Sequence, residues 1–106
     1  MRLLYITCGS EEEAVKIAQI LLSEKLIACA NIIAGSTSIY KWQGEVKQHK
    51  EAIMFAKTTL KNTKSAIERA QKLHSYELPC ILVLPVEGGL PEFIDWVKNE
   101  VANVPA

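Results

Sequence analysis

Residues 38–58 read SIYKWQGEVKQHKEAIMFAKT. Gln43-Gly44 separates two runs that mix aromatic, β-branched and polar side chains. Gly44 tolerates positive φ, so the pattern predicts a β-hairpin with its turn at 43–44. In that register Trp42 stands opposite Glu45, Tyr40 opposite Lys47 and Ser38 opposite His49. Side chains alternate along a strand, so these six share one face, and Ile39, Lys41, Val46 and Gln48 take the other. The return strand, 45–58, reaches about 46 Å at about 3.3 Å per residue. A domain of this length has a radius of gyration of only about 13 Å. The hairpin is therefore expected to project beyond its own domain. A lone ribbon is marginal in water, and an open strand edge invites pairing with another chain. Tyr40 and Trp42, with Val46 on the reverse face, are read as anchors against a neighbouring subunit. The competing reading has Tyr40 and Trp42 stacking on a ligand, with Lys57 supplying charge.

Outward from the hairpin the remaining elements follow. RLLYIT (2–7) is rich in strand formers. Ser10 and Glu13 form a capping-box pattern, and Glu11–Glu13 suit the positive end of a helix dipole. Ala14, Ala18, Leu21 and Leu22 then recur at helical spacing, predicting a helix that starts near residue 11. IACANIIAG (27–35) opens the strand that ends at Trp42. Asn62 or Thr63 caps a second helix with Ala66, Ile67, Ala70 and Leu73 as its apolar stripe. LPCILVLPV (78–86) is nearly all apolar and reads as a central or doubly covered strand. Pro91 suits the first turn of a short helix carrying Phe93, Ile94, Trp96 and Val97, and 103–106 reads as a frayed tail. The order β-α-β-β-α-β plus a C-terminal helix is the ferredoxin-like α+β split unit, with helices on one face of an antiparallel sheet.

The chain has 106 residues, which suits one domain, 1–106. Twelve acidic and twelve basic residues leave zero formal net charge, and no long basic run marks a phosphate-backbone footprint. Nucleic acid is therefore not an expected partner. No apolar stretch approaches the roughly 18 residues of a membrane span, and MRLLYITCGSEEE turns acidic too soon for a signal peptide. A cytoplasmic location is expected. Cys8, Cys29 and Cys80 are odd in number and widely spaced, against a disulfide scaffold or a structural zinc site.

Three groups carry chemistry. His74, Tyr76 and Glu77 stand where the second helix gives way to the last strand. They form a polar pocket or metal ligands, or else His74 faces the negative helix C-terminus while Pro79 shapes the turn. Cys8 and Cys80 lie near the adjoining ends of antiparallel neighbours. Two thiolates with His74 would favour soft Cu(I), against inert buried thiols as the alternative. Glu45, Lys47 and His49 read as a solvated or rim network, and His49 has no evident triad partner. A ferredoxin-like acyl-phosphate hydrolase needs an arginine in a phosphate loop. The only arginines, Arg2 and Arg69, lie in no such loop, so no enzymatic activity is expected.

EKLIACANI, STSIYKWQGEV, EAIMFAKT, LHSYELPCILVLPV and FIDWV together resemble the successive blocks of the CutA family of divalent-cation tolerance proteins. The likeness covers nearly the whole chain. Tyr40, Trp42 and Gly44 match the aromatic block and turn, and Lys57 the lysine after the third-strand apolar run. His74, Tyr76 and Pro79 match a His-x-Tyr-x-x-Pro block, Glu77 an acid often found there, and Cys29 the cysteine of the second block. The resemblance implies a ferredoxin-like subunit in a tight homotrimer of PII-like architecture, with hairpins wrapping neighbours. It also implies a link to tolerance of copper and other divalent metals, with no obligatory cofactor. Ligand or metal clefts would then lie between subunits, near Tyr40, Trp42, Lys57, His74, Tyr76 and Glu77. The remaining alternative is a purely structural trimer. Three departures stand out. Ser75 replaces a common proline, Cys80 replaces a common acid, and VKQHK (46–50), in a segment usually acidic, is basic, with Glu51 the surviving acid.

Overall fold

The computed structural model describes residues 1–102, so the reading of 103–106 as a frayed tail falls outside the described residues. The elements are β1 (Arg2–Cys8), α1 (Glu11–Ser23), β2 (Cys29–Trp42), β3 (Glu45–Thr58), α2 (Thr63–Leu73), β4 (Ile81–Pro85) and α3 (Pro91–Glu100). A short 3-10 turn, Leu60–Asn62, leads into α2. The sheet order is β2-β3-β1-β4 and every neighbouring pair is antiparallel. This is the ferredoxin-like α+β arrangement expected from the sequence.

Local chemistry explains the element ends. Ser10 Oγ accepts the Glu13 N–H at 3.1 Å, and Glu13 Oε1 accepts the Gly9 N–H at 3.1 Å. The N-terminus of α1 is thus capped from both sides, as the S-x-x-E spacing predicts. At its other end Leu26 N donates to Leu21 O and Lys25 N to Leu22 O, with Lys25 at φ 59. That is a Schellman closure with a non-glycine residue in the left-handed region. Gln43 and Gly44 both have positive φ, 51 and 82, the signature of the tight turn whose twist matches a hairpin. Strand pairing then follows the expected register, with Trp42↔Glu45, Tyr40↔Lys47 and Ser38↔His49. A bulge between Ile33 and Ser36, with Gly35 at φ 77, bends the ribbon below the tip without disturbing that register.

The core lies between the sheet and α1 and α2. Leu4, Ile6 and Cys8 of β1 and Ala52, Met54 and Ala56 of β3 meet Ala14, Ile17 and Leu21 of α1 and Ala66 and Ala70 of α2. Each fully buried leucine or isoleucine contributes about 1.5–3 kcal/mol. The alternate residues of the same strands face away from α1 and α2. Leu3, Tyr5, Phe55, Leu82 and Leu84 form an apolar surface there, with Leu82 54% and Leu84 40% exposed. The long dimension is 44 Å against 26 and 23 Å, in keeping with a hairpin that projects.

Two expectations are corrected. The last strand spans only Ile81–Pro85 and lies at the sheet edge, with β1 and β3 central. Its apolarity does not signal a central position, because within one chain its side chains are largely exposed. Asn62 does hold the N-cap position of α2, but its side chain makes no capping bond. It turns instead to Thr59 Oγ1 and the Ala102 carbonyl, fastening the chain after α3.

Candidate functional site

Along the hairpin a groove of about 780 Å³ opens on the side of the sheet away from α1 and α2. Ser38, Tyr40, Trp42, Lys47, His49 and Glu51 form its ribbon wall. All six share one face because β2 and β3 pair in the register described above. Thr7 of β1 and the segment Tyr76, Glu77, Leu78 and Cys80 form the opposite wall.

A chain of hydrogen bonds crosses the groove. Tyr40 Oη lies 3.2 Å from His49 Nδ1, and His49 Nε2 lies 3.4 Å from Tyr76 Oη. Tyr76 donates its hydroxyl to Glu51 Oε2 at 2.8 Å. One consistent proton order runs from Tyr40 through His49 and Tyr76 to the Glu51 carboxylate. Glu51 is only 7% exposed, and His49 Nε2 stands 3.7 Å from its Oε2. Burial drives the Tyr76 phenol upward, and the bond to Glu51 adds to the rise, so Tyr76 stays a proton donor. Gly9 lies against the same ring: a Cβ there would approach Tyr76 Oη to 3.3 Å.

Behind Tyr76 lies a second cluster. Its ring stacks at a tilt on His74, with centroids 4.9 Å apart. His74 Nε2 is 2.7 Å from the Thr7 carbonyl, and His74 Nδ1 accepts the Tyr76 N–H at 3.1 Å. These partners define the tautomer with its proton on Nε2. Glu13 Oε2 accepts the Ser75 N–H at 2.8 Å and stands 4.0 Å from His74 Nδ1. Burial works against the Glu13 carboxylate, but the bonds from Ser75 and Gly9 and the nearby His74 outweigh it and lower its pKa. Cys8 joins these two, and ligand atoms of Cys8, Glu13 and His74 lie within 4.8 Å of one another. Burial pushes the Cys8 thiol up to about 12, with Glu13 and Glu51 adding to the shift.

The sequence-derived site residues divide among these places. Tyr40, Trp42, Tyr76 and Glu77 line the groove. His74 lies beneath it, and its side chain reaches β1 rather than the carbonyls that end α2. Lys57 is on the same sheet face but farther along β3, opposite Leu3 and Cys29, and bonds Asn31 Oδ1. Cys8 and Cys80 are not brought together. Cys8 packs among the helix-side core, whereas Cys80 lines the groove with Thr7, whose N–H it accepts at 3.3 Å. One-residue alternation puts adjoining residues of a strand on opposite faces, which the spacing of strand ends alone did not register. Val46 stands on the reverse face of the tip, 73% exposed. Sequence reasoning took Glu13 as part of a helix start rather than a site, and missed Glu51 as a site residue. The cap that orients Glu13 was legible as S-x-x-E, while the place of Glu51, two residues along the same strand face from His49, could have marked it.

Residues 2–100 match the model of the family described as CutA1 divalent ion tolerance protein. The divalent-cation tolerance protein CutA of Thermus thermophilus is 45% identical over 94 residues, covering 89% of this chain and 91% of that protein. The chloroplastic protein CutA of Arabidopsis thaliana is 33% identical over 93% of this chain, but this chain spans only 54% of its length. Among solved structures, CutA1 from Oryza sativa superposes with a TM-score of 0.94 at 31% identity, covering 97% of this chain and 94% of that one. The Thermus thermophilus Cut A1 structure gives 0.92 at 42% identity, covering 96% and 100%. With residues 2–100 matched to the family model and a relative 45% identical over 89% of the chain, the chain belongs to the CutA1 divalent ion tolerance protein family.

Proposed function

We propose that this protein is a cytoplasmic, homotrimeric, non-catalytic binding or signalling protein of divalent-cation tolerance, whose groove becomes a ligand cleft between subunits. The observation that carries this reading is the groove along the hairpin. One whole wall of it belongs to an arm whose tip the rest of the chain leaves uncovered, with Tyr40 40% and Trp42 39% exposed. Sister copies packed on the apolar face away from α1 and α2 and on the β4 edge would cover both the groove and the arm tip. Kinship with divalent-cation tolerance proteins supports the biological setting. Three free cysteines suit a reducing compartment.

Copper, the cation that the resemblance implies, enters this reading as cargo. The Cys8, Glu13 and His74 donors do not fit a resident ion. Both His74 nitrogens and both Glu13 oxygens already hold hydrogen bonds within the chain. The hydrolase alternative has little to stand on, because Arg69 is bound to both Glu24 oxygens at 3.0 Å and Arg2 to the Met1 carbonyl.

Native mass spectrometry of metal-free protein, titrated with Cu(I), Cu(II) and Zn(II), tests the reading. The expected result is a three-chain mass, with any ion uptake saturating at sites formed between chains. A single-chain mass without uptake contradicts it, and steady turnover of acyl phosphates would favour the enzyme instead.

A further inference from the structure

We propose that the groove selects an organic ammonium ion, with its charged nitrogen held by Glu51 and its alkyl part lying on Tyr40 and Trp42. The proposal rests on reading the groove as a ligand site and names the chemistry of the occupant.

The starting point is a buried carboxylate with no lysine or arginine partner. Carboxylates this deeply buried are ordinarily paired with a cation. Among the described residues no lysine or arginine lies within ion-pair distance of Glu51. Its Oε2 is held by Tyr76, and its nearest basic group, His49, stands 3.7 Å away. Its Oε1 takes no hydrogen bond among the described residues, and it is not one of the enclosed unsatisfied polar atoms. One oxygen is therefore anchored and the other is left to a groove-side donor. Glu77 lines the same groove and adds a second acid. The one lysine in the lining, Lys47, is matched to Glu45 at 3.6 Å. It is also four residues along β3 from Glu51, about 13 Å at strand spacing.

The groove therefore favours a cation, and its walls decide which kind. A divalent metal needs several converging oxygen, nitrogen or sulfur donors. The group of three such donors among the described residues, Cys8, Glu13 and His74, does not include Glu51. What the groove offers instead is aromatic surface, Tyr40 and Trp42 on one strand face and Tyr76 across from them. Aromatic faces attract ammonium groups and cover alkyl chains. An N–H donor also completes the valence of Glu51 Oε1.

The test uses the full chain carrying Trp96→Phe, so that Trp42 is the only indole. Its emission is followed during titration with n-butylammonium chloride, sodium butyrate or n-butanol at constant ionic strength. Butylammonium is expected to saturate the signal, with butyrate and butanol at least about tenfold weaker. Glu51→Gln is expected to weaken butylammonium by about tenfold or more. Tyr40→Leu, which removes the aromatic face and the bond to His49 while leaving Glu51 in place, is expected to weaken it about three- to fivefold. Saturation by butyrate at equal or lower concentration would overturn the ammonium assignment while leaving the groove a ligand site. Unchanged butylammonium affinity in both variants would also overturn it. Saturation by none of the three probes would remove the assignment and the ligand-site reading together.

Discussion

Tyr76 donates its hydroxyl to Glu51 Oε2 at 2.8 Å, joining the segment after α2 to the middle of β3. The bond satisfies a carboxylate that is only 7% exposed. Removing a partner from a buried charged group costs about 1–3 kcal/mol or more. Tyr76→Phe is therefore expected to lower stability by about 1–3 kcal/mol in urea unfolding, with the ring packing on His74 retained. Glu51→Gln should cost less, because its amide still accepts the Tyr76 hydroxyl and carries no buried charge.

His74 ties three segments through one ring. It bonds the Thr7 carbonyl and the Tyr76 N–H while its own backbone N–H ends α2. His74→Ala orphans two backbone groups and is expected to cost roughly 2 kcal/mol or more. Hydrogen exchange of the Tyr76 amide checks the cause directly, since it should accelerate in the variant more than amides of α1.

Glu13 gives a pH dependence of definite sign. Its folded pKa lies below the ordinary 4.5. The stabilisation is complete above the unfolded value and is lost as pH falls through the folded one. Wild-type stability should therefore decline below about pH 4.5 more steeply than that of Glu13→Gln. Urea midpoints across the acid range measure this. Parallel profiles would show that the bonds from Gly9 and Ser75 contribute nothing to the charged form.

Cys8 should be unreactive in the folded protein. A rise from 9.0 to about 12 lowers the thiolate fraction at neutral pH by about a thousandfold. The side chain is also fully enclosed. Iodoacetamide at neutral pH is expected to label the half-buried Cys29 long before Cys8, read by peptide mass spectrometry. The raised thiol also predicts falling stability above pH 9, where the unfolded chain ionises and the folded one does not.

Much of this architecture was legible because it is written in local patterns. The Ser10-x-x-Glu13 cap, the Gln43-Gly44 turn and the apolar stripe of Ala66 and Ala70 each act through neighbours in sequence. The hairpin register then placed Ser38, Tyr40, Trp42, Lys47 and His49 on one face before any tertiary contact was considered. The rest needed information that one strand does not carry. LPCILVLPV (78–86) reads as a central or doubly covered strand, yet Ile81–Pro85 is an edge whose side chains are largely exposed within one chain, because apolarity alone does not report a strand's place in the sheet. Cys8 and Cys80 looked like neighbours by strand ends, but alternation sends them to opposite sides of the sheet. Glu51 looked like a remnant acid in a basic segment. Its role depends on Tyr76, 25 residues away in sequence.

The central claim is that sister copies cover the projecting arm and complete the groove. Sedimentation of the wild-type chain over a dilution series, with Trp42 emission followed in the Trp96→Phe chain, tests it most directly. The account predicts a species of three 11.8 kDa chains that persists into the submicromolar range, with a red shift of Trp42 emission only when it dissociates. A folded 11.8 kDa chain at all concentrations, with Trp42 emission unchanged by dilution, would contradict it.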